Sequence, residues 1–164
     1  SYLLQAQTFL AGRLSWPAMA VQPELFHQVH VLSEPRTASR YFPWTGLWTA
    51  PFVALEHPIR GHWLAGAMAC VFFYLSLNEL MGYRPAVWGG ALIAVSPGMA
   101  VFINLLLAHH PTMLALSVVL WAFLKLMRSE RTRYAWIAGV ALALAMLSSF
   151  TSPADIALTS GFPA

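Results

Sequence analysis

Charge is what this sequence has least of. Asp, Glu, Lys and Arg make up 9% of the 164 residues, against about 25% in soluble domains, which excludes a water-soluble globule. The one cysteine, Cys70, lies in an apolar run, so an intrachain disulfide and any Cys-x-x-Cys metal or redox centre are excluded. The formal net charge of +3 is scattered along the chain, so no nucleic-acid footprint is present. Between Pro85 and Leu124 there is no Asp, Glu, Lys or Arg at all. What is abundant is hydrocarbon: hydrophobic residues make up 59% and the mean hydropathy is +0.62. Seven Trp and five Tyr in so short a chain suit the aromatic belt of a membrane interface.

Taken in order, Tyr2–Leu14 (YLLQAQTFLAGRL) places Leu3, Ala6, Phe9 and Leu10 on one helical face, with Gln5, Gln7 and Thr8 off it and Gly12 as a stop. The segment is too short to cross a hydrocarbon core of about 30 Å, which predicts an interfacial helix. Glu24, His27 and His30 recur at spacing three and would share one helical face as metal ligands. Pro23 and the Val-His-Val-Leu run favour extended chain instead. His27–Gly46 (HQVHVLSEPRTASRYFPWTG) is the sizeable polar window ahead of the apolar half, and such loops beside apolar spans are where membrane proteins do chemistry. Pro43–Leu55 reaches only about 20 Å as helix, so it is expected to be a second interfacial or re-entrant piece.

Spans begin at His62–Leu80. The uncharged stretch of about forty residues from Pro85 is two spans' worth and predicts a hairpin turning between Ser96-Pro97-Gly98 and His109-His110-Pro111. Tyr134–Phe150 is the last span. The expected fold is all-α: a polytopic integral membrane protein with about four transmembrane helices and interfacial helices in a long outer loop. Its expected divisions are an outer loop (1–58), a helical bundle (59–151) and an irregular tail (152–164). Lys125, Arg128, Arg131 and Arg133 outweigh Glu130, which puts that loop in the cytosol under the positive-inside rule. The polar window, the His109-His110 turn and the chain end after Phe150 then share the outer face.

The order YLLQAQTFLAGRLS, PELFHQVHVLSEPRTASRYFPWTG and the Arg84–Arg133 hairpin resembles the N-terminal half of GT-C-type glycosyltransferases. These are polytopic relatives of dolichyl-phosphate-mannose protein mannosyltransferases and of the bacterial lipid A aminoarabinose transferase. The resemblance runs from Tyr2 to about Leu147, with Ala38-Ser39-Arg40-Tyr41-Phe42-Pro43 its most informative string. It implies a polyprenyl-phosphate sugar donor, transfer on the outer face, membrane lipid as surroundings and no nucleic acid. The location implied is a multi-pass cell-membrane protein, with the bacterial inner membrane as the expected site. It implies a catalytic carboxylate, often in an Asp-Glu pair, that would lie immediately before Ser1. The chain, which opens without Met, is accordingly expected to be a piece of a longer protein, inactive alone, with Glu24 as the fallback base.

The Ser39-Arg40-Tyr41-Phe42-Pro43 string resembles the family's basic-Tyr-Pro-Pro segment, with Phe42 in place of the first proline. Ser96-Pro97 and His110-Pro111 resemble its outer turn between the third and fourth spans. Ser152-Pro153 stands where the family often has Arg-Pro, and the pattern is lost after Ser148.

Glycosyl transfer from a lipid phosphate needs a cation for the leaving phosphate and a base for the acceptor hydroxyl. Arg40 is the first candidate for the phosphate, Arg36 the second. Tyr41 supplies a hydroxyl donor, and His30, His109 and His110 complete the substrate-binding set. Arg40 also fits a headgroup anchor, and the His pair an interfacial turn. Asn104 would line a cavity or bond a neighbouring helix. No metal-ligand set is assigned, and a divalent metal is left open as cofactor. The competing reading is a non-enzymatic carrier or assembly subunit, which Gly- and Pro-broken spans would serve. The lack of a charged residue inside the spans for ion coupling counts against it.

Overall fold

The computed structural model describes residues 2–17, 31–32, 36–39, 41 and 43–149. Its elements are α1 (Tyr2–Leu10), β1 (Trp16–Pro17), β2 (Val31–Leu32), β3 (Arg36–Ser39), α2 (Pro43–Ala54), α3 (Pro58–Met81), α4 (Tyr83–Ala94), α5 (Pro97–Phe102), α6 (His109–Ser129) and α7 (Thr132–Ser149). They fall into two compact units, residues 1–58 with 147–164, and residues 59–146.

In the first unit α1 packs on α2. The helix stops where the sequence places the stop. Gly12 takes φ +66°, Gly12 N–H donates to Phe9 O at 2.9 Å and Arg13 N–H to Thr8 O at 3.0 Å. That is a Schellman cap, and its left-handed position costs glycine nothing. The face that α1 buries is largely polar. Gln5, Ala6 and Thr8 are buried, whereas Leu3 and Leu10 are exposed. Against hydrocarbon the apolar side chains need no cover, and the polar ones must find partners inside. Thr8 Oγ1 donates to Leu4 O at 2.7 Å and accepts from Trp16 Nε1 at 2.9 Å. The facing stripe of α2 is small: Thr45, Gly46, Thr49 and Ala50 are buried. A Cβ on Gly46 would stand 2.5 Å from Gln5 Oε1, so glycine is what lets the two helices approach. A short antiparallel sheet, ordered β1-β3-β2, adds to the helices; Val31–Leu32 forms β2.

The second unit repeats this inside-out pattern. Gly61, His62, Ala65, Gly66 and Ala69 form the buried stripe of α3, while Trp63, Leu64, Met68 and Val71 are exposed. Trp88 on α4 and Trp136 on α7 are 74% and 73% exposed. Soluble proteins bury such side chains, and small-residue interfaces under a coat of large apolar ones are how helices pack in lipid. Two helices, α3 with 24 residues and α6 with 21, are long and apolar enough to cross a membrane.

α3 and α6 run in the same direction. At their N-terminal ends His62 Nε2 donates to Leu107 O at 2.8 Å; at their C-terminal ends Glu79 bonds Lys125 at 2.5 Å and Arg128 at 3.4 Å. The uncharged stretch between them makes the return, but as broken helix. α4 has 12 residues and so reaches about 18 Å, short of a crossing by itself. Its Gly89-Gly90 lies close against Leu77 and Tyr74 of α3. Ser96 then caps α5, accepting from Met99 N–H at 3.4 Å, with Pro97 as its first residue. Residues 103–108 are irregular. Asn104 therefore lies in a turn, exposed, and among the described residues its side chain bonds back to Ala100 O at 3.3 Å. His109-His110-Pro111 opens α6 instead of ending a helix, because proline in a first turn forfeits no helical hydrogen bond. α7 follows after a tight turn at Glu130, φ +51°.

Candidate functional site

Of the residues that the sequence nominates, His30, Glu24 and Arg40 lie outside the described residues, as does His27. Arg36 opens β3, exposed, in register with Pro17 of β1. Tyr41 is tied into the first unit from two sides. Its carbonyl accepts from Gln5 Nε2 at 2.8 Å, and its ring stacks on that of Tyr2 at 4.8 Å and 22°. Its N–H donates to Ser39 Oγ at 3.3 Å. Burial first, then the neighbouring Tyr41 phenol, pushes the Tyr2 hydroxyl up to about 12. Tyr2 was not singled out from the sequence, since nothing in a 3.6-residue pattern links it to a residue 39 positions away.

In the second unit the two adjacent histidines separate. His109 is exposed and stacks on Phe102 at 4.4 Å and 17°. His110 is 1% exposed, with its ring set edge-on to that of His62, centroids 6.5 Å apart. His62, fully buried, is a residue that sequence reasoning treated only as the start of a span. The signal was available: an ionisable side chain inside an apolar helix marks a functional position by default. Because Nε2 of His62 gives its proton to Leu107 O, its Nδ1 carries the lone pair, and no hydrogen-bond partner reaches it. Neither ring nitrogen of His110 has a partner; the Phe102 carbonyl approaches the ring outside hydrogen-bond geometry.

Room for His110 comes from α3. A Cβ on Gly66 would lie 2.8 Å from His110 Cδ2 and 3.3 Å from Met99 Cε. Beside the histidine is a cavity of about 550 Å³, lined by Phe73, Ile93, Ser96, Met99, Phe102 and Met113 among others, with His109 and His110 at its wall. The Ser96 and His110 turns singled out in the sequence thus meet at one cavity. Among the described residues no group of three or more His, Cys, Asp or Glu side chains is placed to hold a metal ion.

No curated protein and no solved structure matches the chain. The sequence model of one family, dolichyl-phosphate-mannose-protein mannosyltransferase, matches residues 38–154. The match opens at Ala38, the first residue of the Ala-Ser-Arg-Tyr-Phe-Pro string, and runs past Leu147 to Ala154. It covers well over half of the chain, and the inside-out helices agree with a membrane-integral family. The chain belongs to the dolichyl-phosphate-mannose-protein mannosyltransferase family of membrane glycosyltransferases.

Proposed function

We propose that the chain serves the transfer of a sugar from a polyprenyl-phosphate donor to an acceptor on the outer face of a cell membrane, as part of a multi-pass protein of the bacterial inner membrane. The observation that carries this reading is the family match beginning at the Arg40-Tyr41 string, which supports donor chemistry there. As the glycosidic bond breaks, the leaving phosphate gains charge, and a guanidinium that grips it at two points lowers the barrier. Arg40 takes that role, with Arg36 as the second cation. Tyr41, its ring braced by Tyr2, donates its hydroxyl to a phosphate or sugar oxygen. His30 is a secondary substrate contact. Residues 1–58 form the outer-loop domain and 59–151 the membrane bundle.

The outer-face assignment rests on the cationic residues 125–133 and is tested by sided labelling. In a Cys70→Ala background, Ser129→Cys is expected to react with an impermeant maleimide only when the cytosolic face is open, and Ser33→Cys only from outside. The opposite pattern would move the donor site to the cytosol and overturn the reading.

A further inference from the structure

The cavity beside His110 has the size of a ligand site, since such sites run from about 300 to 1,000 Å³ and this one is about 550 Å³. Its walls are hydrocarbon, thioether and aromatic ring: Phe73, Ile93, Met99, Phe102 and Met113. Among the described residues no acidic side chain, Lys or Arg lines it, and its titratable groups are the imidazoles of His109 and His110. A phosphate or carboxylate would enter without a counter-charge, and burying an unpaired ion is prohibitive. The occupant is therefore uncharged.

It is nevertheless not pure hydrocarbon. His110 is 1% exposed, lies in the cavity wall and has two ring nitrogens without a partner. A neutral imidazole offers one donor and one acceptor, and leaving both unpaired in a buried site is costly. Gly66 of α3 lies so close to the ring that a Cβ there would stand 2.8 Å from Cδ2, which leaves no room for another partner on that side. The Ser96 hydroxyl, which accepts from Met99 N–H, keeps its own proton free to give. One oxygen on an otherwise apolar ligand satisfies this wall.

We propose that the cavity between α3, α5 and α6 binds the hydrocarbon chain of an uncharged lipid through a single hydroxyl or carbonyl oxygen engaged by His110. Two sources share that chemistry: a polyprenol, or the ester-bearing acyl chain of a bilayer lipid. The site stands apart from the Arg40 assignment, because phosphate recognition plays no part in it.

Photo-crosslinking of the full chain in nanodiscs tests this, using four diazirine probes: a polyprenol, the matching polyprenyl phosphate, an acyl-labelled diacylglycerol and an alkane of equal length. Cross-links mapped by mass spectrometry are expected at Phe73, Met99 or Met113 with the polyprenol or the acyl probe; which of the two identifies the source. Gly98 lines the cavity and a Cβ there meets nothing within 4 Å, so Gly98→Leu is the substitution chosen to occupy the space. It is expected to lower cavity cross-links about tenfold, as filling a pocket disfavours its ligand, while labelling at lipid-facing Trp136 is unchanged. His110→Phe should lower labelling by the oxygen-bearing probes about fivefold, the equilibrium worth of one neutral hydrogen bond, and leave the alkane unaffected. Preference for the phosphate over the polyprenol would overturn the proposal. So would wild-type protein with no cross-links in the cavity, or Gly98→Leu labelling at full strength.

Discussion

Gly66→Ala measures how tightly α3 and α6 are fitted at the buried histidines. In an open helical position, exchanging glycine for alanine gains about 0.8–1.0 kcal/mol. Here the new methyl would sit 2.8 Å from His110 Cδ2 and 3.3 Å from both His110 Nε2 and Met99 Cε. Met99 can swing its terminal methyl aside, but the His110 ring is buried and rooted in the first turn of α6. Overpacking of this kind costs about 1–3 kcal/mol, so the net effect is a loss of about 1 kcal/mol once the propensity gain is set against it. Gly139 on α7 is the control: it is exposed, nothing lies within 4 Å of its Cβ, and Gly139→Ala should gain the propensity term. The assay is tryptophan fluorescence during SDS titration of the protein in mixed micelles. Adding His110→Ala should relieve the clash, giving a coupling energy of about 1 kcal/mol between the two sites. If Gly66→Ala stabilised as much as Gly139→Ala, with no coupling to His110, the close contact would be refuted.

Three further outcomes follow from the same geometry. Glu130 holds φ +51° at the end of α6, a conformation disfavoured by about 1–2 kcal/mol for L-residues, so Glu130→Gly should raise stability by about 1 kcal/mol in the same titration. The Tyr2 phenol, pushed up to about 12, makes folding more favourable below its ordinary value of 10.0, and that contribution is lost as the pH rises from there through about 12. Difference absorbance at 295 nm between wild type and Tyr2→Phe reads the titration; Tyr41→Phe should lower the midpoint but leave it above 10.0, since burial is the larger cause. Glu79→Gln, which unpairs Lys125 and Arg128, should cost less than about 1 kcal/mol, because Arg128 is 60% exposed and such pairs are screened. High salt should erase the difference.

The sequence made the helices legible wherever local rules decide them. Gly12 ends α1 because only a left-handed residue closes that cap, and α3 and α6 follow from apolar length. The break at Ser96-Pro97 was readable from proline chemistry, as was the uncharged return. Which face each helix buries was not. Apolar periodicity identifies the face that avoids water, but in lipid that face needs no protein cover, so α1 buries Gln5 and Thr8 and leaves Leu3 and Leu10 exposed. The candidate site divides along the same line. Ser96 and His110 announced themselves as helix breakers and reach one cavity. The residues packed against His110, His62 and Gly66, come from a helix some 45 residues earlier, and no local spacing connects Gly66 to the ring it accommodates.

Arg40 is assigned the grip on a lipid phosphate, and binding of polyprenyl phosphate in nanodiscs to wild type, Arg40→Lys and Arg40→Ala decides whether it holds one. A charge-assisted bond is worth about 1.5–3 kcal/mol, so Arg40→Ala should weaken binding roughly ten- to a hundredfold. Arg40→Lys should recover only part, because an ammonium lacks the planar two-point grip. Affinities within about twofold of one another across the three proteins, well below the worth of any charged hydrogen bond, would contradict the claim and leave Arg40 as an anchor to the lipid surface.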